Sequence, residues 1–171
     1  VNLVHPVPTQ RNAAALQALV NDTLRNTQTW EAKLTAAGQQ EDTEQAKTEA
    51  WSELLRDGKL GYFALIRNLR NILEQAPETI DLVETQLTDE KRIRASLVLP
   101  FRLLTAYKQI QSTDANSRRV LAALEQAIEI SIDNIPVMPN TLVAVDNSGS
   151  MHSPVGASTH ILCNELGAVF G

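Results

Sequence analysis

The 171 residues include one cysteine, 4% aromatic residues and no excess of positive charge, the balance at pH 7 being −5. A lone Cys163 excludes an intrachain disulfide framework and a cysteine-based zinc site, and favours a reducing, cytoplasmic setting. The acidic balance excludes a surface that grips a polyanion everywhere, so any nucleic-acid contact must be local. No apolar run approaches the ~20 residues needed to span a bilayer, and "VNLVHPVPTQ" has no charged-then-apolar signal pattern, so no membrane partner is expected. The chain starts at Val1 rather than Met, which leads us to expect a piece of a longer protein.

What is present is helix-forming composition, rich in Ala, Leu, Gln and Glu. Thr9 is a candidate cap for a helix over residues 10–25 with Ala14, Leu16, Leu19, Val20 and Leu24 as its apolar stripe. Gly38 stops a helix begun at Trp30, and Thr43 caps one that ends near Asp57 and Gly58. The helix in "KLGYFALIRNLRNILEQ" carries Leu60, Phe63, Ala64, Ile66, Leu69, Ile72 and Leu73, a band wide enough to be buried on more than one side. A shorter helix covers residues 78–87, Asp89 opens another turn, and Pro100 starts "PFRLLTAYKQI". Residues 116–132 place Val120, Leu121, Leu124, Ala127, Ile128 and Ser131 on one face. Helices of this length with short polar loops predict a mainly α fold, an α-solenoid of HEAT-like pairs, although no strict sequence period is present.

From "IPVMPN" onward the pattern changes. Two prolines exclude helix, and "TLVAV" is a short β-branched run with the pattern of a buried parallel strand. Beyond it Ile161, Leu162, Leu166 and Val169 recur at helical spacing over residues 158–170. A strand, a Ser- and Asp-rich loop and a helix are the opening of an α/β domain. Two regions are therefore expected, helical repeats over 1–135 and the start of an α/β domain over 139–171.

Ligands of open α/β sheets bind beyond the carboxyl ends of strands, where Asp146, Ser148 and Ser150 fall in a D-x-S-x-S pattern. One carboxylate and two hydroxyls at alternate positions suit a hard divalent cation such as Mg²⁺. The same residues can instead support a turn and cap the next helix.

"LVAVDNSGSM" resembles the first strand and metal-binding loop of a von Willebrand factor A domain. "LVHPVP", "KLGYFALIRNLRNI", "LPFRLLTAYK" and the run from Val120 into the loop together resemble, in order, the Ro autoantigen family, in which a TROVE module precedes such a domain. That resemblance implies a ring of HEAT-like repeats closed by the A domain. It also implies a binding protein rather than an enzyme, one that takes small noncoding Y-like RNA and single-stranded ends of misfolded RNA in RNA quality control or processing. An exoribonuclease is an implied partner and DNA is not. A Thr and an Asp from later loops complete the family's metal site, so the trio here is expected to be part of one.

His5 stands at a family RNA-contacting position. Its imidazole can meet a phosphate or a base, or pack against Pro6 and Pro8, and Val7 lies where bacterial relatives often carry a basic residue. Arg67 and Arg70 lie three residues apart on one helix face, either toward RNA or paired with acids such as Glu74. Lys91, Arg92 and Arg94 form a second basic cluster, followed by Arg102 and Lys108. Asn68 and Asn71 read as structural, Asn68 holding a neighbouring loop. Trp51, Tyr62 and Phe63 read as core, and Cys163 as a small buried residue of the last helix. His152 and His160 have no partner at zinc-site spacing. The alternative function is a protein-interaction scaffold in which a partner carboxylate completes the metal shell.

Overall fold

The computed structural model describes residues 9–23, 29–111, 113–137, 139–156 and 161–170. Nine helices occur among the described residues: α1 Ala13–Val20, α2 Trp30–Ala37, α3 Thr43–Arg56, α4 Tyr62–Gln75, α5 Ile80–Leu87, α6 Glu90–Ser96, α7 Pro100–Gln109, α8 Ala115–Ser131 and α9 Cys163–Phe170. The expected mainly helical architecture is what the chain adopts.

Local chemistry sets most boundaries. Thr29 and Asp42 accept from the amides of Ala32 and Gln45, Asp89 from those of Lys91 and Arg92, and Asp114 from that of Ser117, each satisfying donors that a first turn leaves open. Thr43 is thus the first residue of α3, and Asp42, not Thr43, is its cap. Gly38 ends α2 as expected, Gly58 takes φ +63° just beyond α3, and Pro100 occupies the first turn of α7, where its missing N–H costs nothing. Pro77 opens a 3-10 turn, Pro77–Thr79, ahead of α5.

The core lies among α3 to α8. Leu60, Leu65, Ile72, Val83, Leu87, Ile93, Leu103, Val120, Leu124 and Ala127 are fully buried. Each Leu or Ile contributes roughly 1.5–3 kcal/mol by leaving water. α8 packs against α5, α6 and α7, while α4 packs against α3, α5, α6 and α7, so α4 and α8 are the central elements. The polar groups inside this core are satisfied: Tyr62 donates to the Leu87 carbonyl at 2.8 Å, Trp51 Nε1 to Gln75 Oε1 at 2.9 Å, and Thr79 to the Ala76 carbonyl at 2.7 Å. Burial pushes the Tyr62 phenol well above the usual tyrosine value, so it stays protonated as a donor.

Five further expectations are corrected. α1 is shorter than 10–25, with residues 24–28 outside the described part; Thr9 accepts with its backbone carbonyl from Asn12 and Ala13 instead of capping with its hydroxyl. None of the residues of α1 is buried. Phe63 is 44% exposed whereas its neighbour Tyr62 is 5% exposed, because successive helical residues point about 100° apart and only one can face inward. Cys163 is half-buried at the start of α9. The run over 141–147 pairs with no strand, and Leu142 is 91% exposed. A strand needs a neighbouring edge to satisfy its amides and carbonyls, and among the described residues only the Pro154–Leu162 antiparallel bridge occurs.

The C-terminal segment is nevertheless anchored. Lys108 on α7 ion-pairs with Glu165 on α9, and Val145 packs directly on Gly167, where an added Cβ would lie 2.7 Å from Val145 Cγ1. No helix among the described residues is long and apolar enough to cross a membrane.

Candidate functional site

α4 presents two chemistries from one sequence. The positions that point inward, Leu65, Ile66, Leu69 and Ile72, are buried, while Phe63, Arg67, Arg70 and Glu74 form an exposed row at spacings of four, three and four. α7 packs alongside and contributes Arg102, Ala106 and Gln109. Between the two helices lie three adjoining depressions that share Gln109. One of about 240 Å³ is bounded by Phe63, Arg67 and Arg102; a small one lies at Arg67, Arg70 and Asn71; and one of about 320 Å³ lies at Arg70, Glu74 and Gln111.

Among the described residues, Arg67 and Arg70 form no ion pair, and the expected pairing with Glu74 is not made. Arg102 likewise has no carboxylate partner; its guanidinium lies over the Phe101 ring, 5.2 Å from the centroid. Three guanidiniums therefore face one trough with their charge uncompensated. Each offers planar N–H donors matched to phosphate or carboxylate oxygens.

The second basic cluster is arranged differently. Arg92 donates to Gln86 Oε1 and to the backbone carbonyl of Leu60, tying the entry of α4 to α5 and α6. Arg94 bonds Glu90 Oε1 at 2.8 Å and Asp133 Oδ2 at 2.6 Å. Lys91 is exposed. Arg94 is paired with two carboxylates and Arg92 has its donors taken by neutral oxygens, and neither lines the α4/α7 trough. Lys108 is engaged by Glu165, whose carboxyl is held below its usual value first by the Leu162 amide and then by Lys108 itself.

Asn68 is 9% exposed and donates to the Ala64 carbonyl at 2.8 Å, while Asn71 donates to Asn68 Oδ1 at 3.2 Å. Their role is structural as expected, but it is exerted within α4 rather than on a loop. Tyr107 donates to Glu125 Oε1 at 2.9 Å. Arg102 and the exposed Phe63 are what sequence reasoning missed as parts of one surface; the signal was the four-residue step from Phe63 to Arg67, which puts the ring on the arginine face.

The D-x-S-x-S oxygens do converge. Ser148 donates its amide to Asp146 Oδ1 at 2.8 Å and its hydroxyl to Asp146 Oδ2 at 3.1 Å, and Ser148 Oγ lies 3.0 Å from Ser150 Oγ. All three are exposed at the start of a 3-10 turn, Gly149–His152. The donor set, one carboxylate and two hydroxyls, fits a hard cation. These bonds also serve the turn itself, the other role that the sequence allows them. No group of three or more His, Cys, Asp or Glu side chains is placed to hold a metal among the described residues. His152 is exposed, and His5 and His160 lie outside the described residues.

Residues 21–121 match the TROVE domain. Telomerase protein component 1 of Mus musculus is 35% identical over 97 residues, which is 56% of this chain and 3% of that protein. Telomerase protein component 1 of Rattus norvegicus is 32% identical over the same length and shares. The chain thus spans about 3% of the length of these relatives. No solved structure matches it.

Proposed function

The chain belongs to the TROVE domain family, and from that premise we propose that it is an RNA-binding module of a ribonucleoprotein. The observation that carries the proposal is the α4/α7 trough, where Arg67, Arg70 and Arg102 keep uncompensated charge on a chain of net charge −5. Arg94 and Arg119, by contrast, are each held by two carboxylates. A local group of free guanidiniums is what phosphate contact requires.

The finer reading is that the RNA is a small structured noncoding RNA of the Y-like class and the single-stranded ends of misfolded RNA, in cytoplasmic quality control or processing alongside an exoribonuclease. The Asp146, Ser148 and Ser150 turn is assigned to a divalent cation such as Mg²⁺, and residues 139–171 to the start of an A domain. Val145 seated on Gly167 supports that last assignment, since a strand-like run on a helix is how such a domain begins.

The test is titration of a structured small RNA and of a single-stranded 3′ tail at several salt concentrations, with wild type and with Arg67→Glu, Arg70→Glu, Arg102→Glu combined. Wild-type affinity should fall linearly on a log–log plot by about 0.7 per neutralised single-strand phosphate, and the triple variant should lose that dependence. Binding no tighter than to a random duplex, without salt dependence, sinks the proposal.

A protein-interaction scaffold is the second reading. It is favoured by the exposed apolar residues of α1, Leu19 and Val20, at 57% and 59%.

A further inference from the structure

The α4/α7 trough is not uniform along its length. Phe63, Arg67, Arg70 and Glu74 succeed one another on the exposed row of α4, a span of roughly 16 Å at the helical rise. One end is aromatic and basic, the middle is basic, and the far depression, about 320 Å³, carries the Glu74 carboxylate beside Gln109 and Gln111. Asp114 borders that far end too, but its oxygens already accept from the Ser117 amide at 2.8 Å and hydroxyl at 2.9 Å. Glu74 is exposed and accepts no such bond among the described residues.

We propose that this trough selects the strandedness and base identity of its RNA: phosphates lie on Arg67, Arg70 and Arg102, one unpaired base lies against Phe63, and a second base enters the Glu74 end, which favours adenine, cytosine or guanine over uracil. The inference rests on the RNA reading above and adds to it the roles of Phe63 and Glu74. Arginines alone would hold a duplex and a single strand alike. A ring in the same row adds stacking, which only an unpaired base can supply.

The carboxylate acts in two ways. It repels phosphate, so the backbone does not continue over Glu74. It is acceptor-only when ionised and so pairs with the exocyclic amines of adenine, cytosine or guanine. Uracil has carbonyl oxygens in those places and offers only its ring N3–H, flanked by two oxygens whose lone pairs face the carboxylate unfavourably. The glutamine amides beside it offer both donors and acceptors and discriminate less.

The experiment is fluorescence anisotropy of this chain with labelled oligoadenylate, oligouridylate and a mixed-sequence RNA duplex, for wild type, Phe63→Ala, Phe63→Leu and Glu74→Gln, with thermal melts confirming that each variant is folded. Phe63→Ala and Phe63→Leu should weaken oligoadenylate binding roughly 5- to 100-fold and leave duplex binding within about twofold. Glu74→Gln should bring the affinities for oligoadenylate and oligouridylate together. Equal losses for duplex and single strand in the Phe63 variants, or an unchanged adenylate preference in Glu74→Gln, overturn the inference while leaving the RNA reading intact. If wild type binds no RNA, the RNA reading fails and this inference fails with it.

Discussion

The guanidinium of Arg92 donates to the backbone carbonyl of Leu60, 32 positions earlier in the chain. Leu60 is fully buried at the entry to α4, and the second bond from Arg92 reaches Gln86, whose amide in turn donates to the Leu55 carbonyl at 2.6 Å. A residue that looks like part of a phosphate-binding cluster is thus a cross-tie between the loop before α4 and helices α5 and α6.

Arg92→Ala should therefore destabilise the fold by roughly 1–3 kcal/mol, because the Leu60 carbonyl loses its charged donor in a place water does not easily reach. Arg67→Glu with Arg70→Glu should leave stability within about 0.5 kcal/mol, as surface changes do. Urea unfolding and RNA titration on the same samples separate the two: the first variant moves the denaturation midpoint and not the affinity of the folded protein, the second the reverse.

Leu97 ends α6 in the left-handed region at φ 55°, ψ 28°, and is 71% exposed. A side chain there strains the backbone and, at this exposure, adds little burial. Leu97→Gly should stabilise by about 0.5–1 kcal/mol, the relief of left-handed strain being partly offset by the greater freedom of glycine in the unfolded chain. A rise in thermal midpoint checks it; a fall would show that Leu97 has a packing role.

Gly167→Ala places a methyl group 2.7 Å from Val145 Cγ1, and a β-branched side chain cannot swing aside freely. The variant should loosen the 141–147 segment from α9 although alanine favours helix by about 1 kcal/mol. Adding Val145→Ala removes the clashing atom. In a double-mutant cycle the pair should be more stable than the sum of the singles by about 1 kcal/mol.

Asp114 and Glu165 contribute to the acid limb of stability, as does Asp57, whose carboxyl Lys59 holds below its usual value. Asp114 is held below its usual 3.8 by the Ser117 amide first and the Ser117 hydroxyl second, and Glu165 below 4.5 by the Leu162 amide and then Lys108. In both the folded state favours the charged form, so their contribution is fully present above the unfolded values and lost as pH falls through the lower, folded ones. Denaturation midpoints should drop below about pH 4, and Asp114→Asn with Glu165→Gln should flatten that drop.

Asp146→Ala should leave RNA affinity within about twofold, because the trio belongs to the turn before α9 and the trough to α4 and α7. Isothermal titration with Mg²⁺, alongside the RNA measurements on the same variant, reads the two separately. A collapse of RNA affinity in a folded Asp146→Ala would show that the turn and the trough form one site.

Helix identities, the stop at Gly38, the Asp89 turn and the Pro100 start were legible because a cap or a glycine acts on amides within three or four positions. The same holds for the convergence of Asp146, Ser148 and Ser150, a cluster made within one turn. The family likeness was legible as well, since ordered motifs survive without knowledge of their contacts.

Which cations stay free was decided only in three dimensions. Arg94 meets Asp133 across 39 positions and Arg92 meets Leu60 across 32, whereas Arg67 and Arg70 meet no acid among the described residues, and nothing in the residue types distinguishes the four. Tyr62 and Phe63 both read as core in a linear reading, yet one is buried on Leu87 and the other opens onto the trough. The run TLVAV, residues 141–145, carries strand propensity but pairs with no neighbouring edge among the described residues. Local propensity depends on neighbours along the chain and is written there; charge pairing, burial and strand pairing depend on neighbours in space, which only the packing of α3 to α8 supplies.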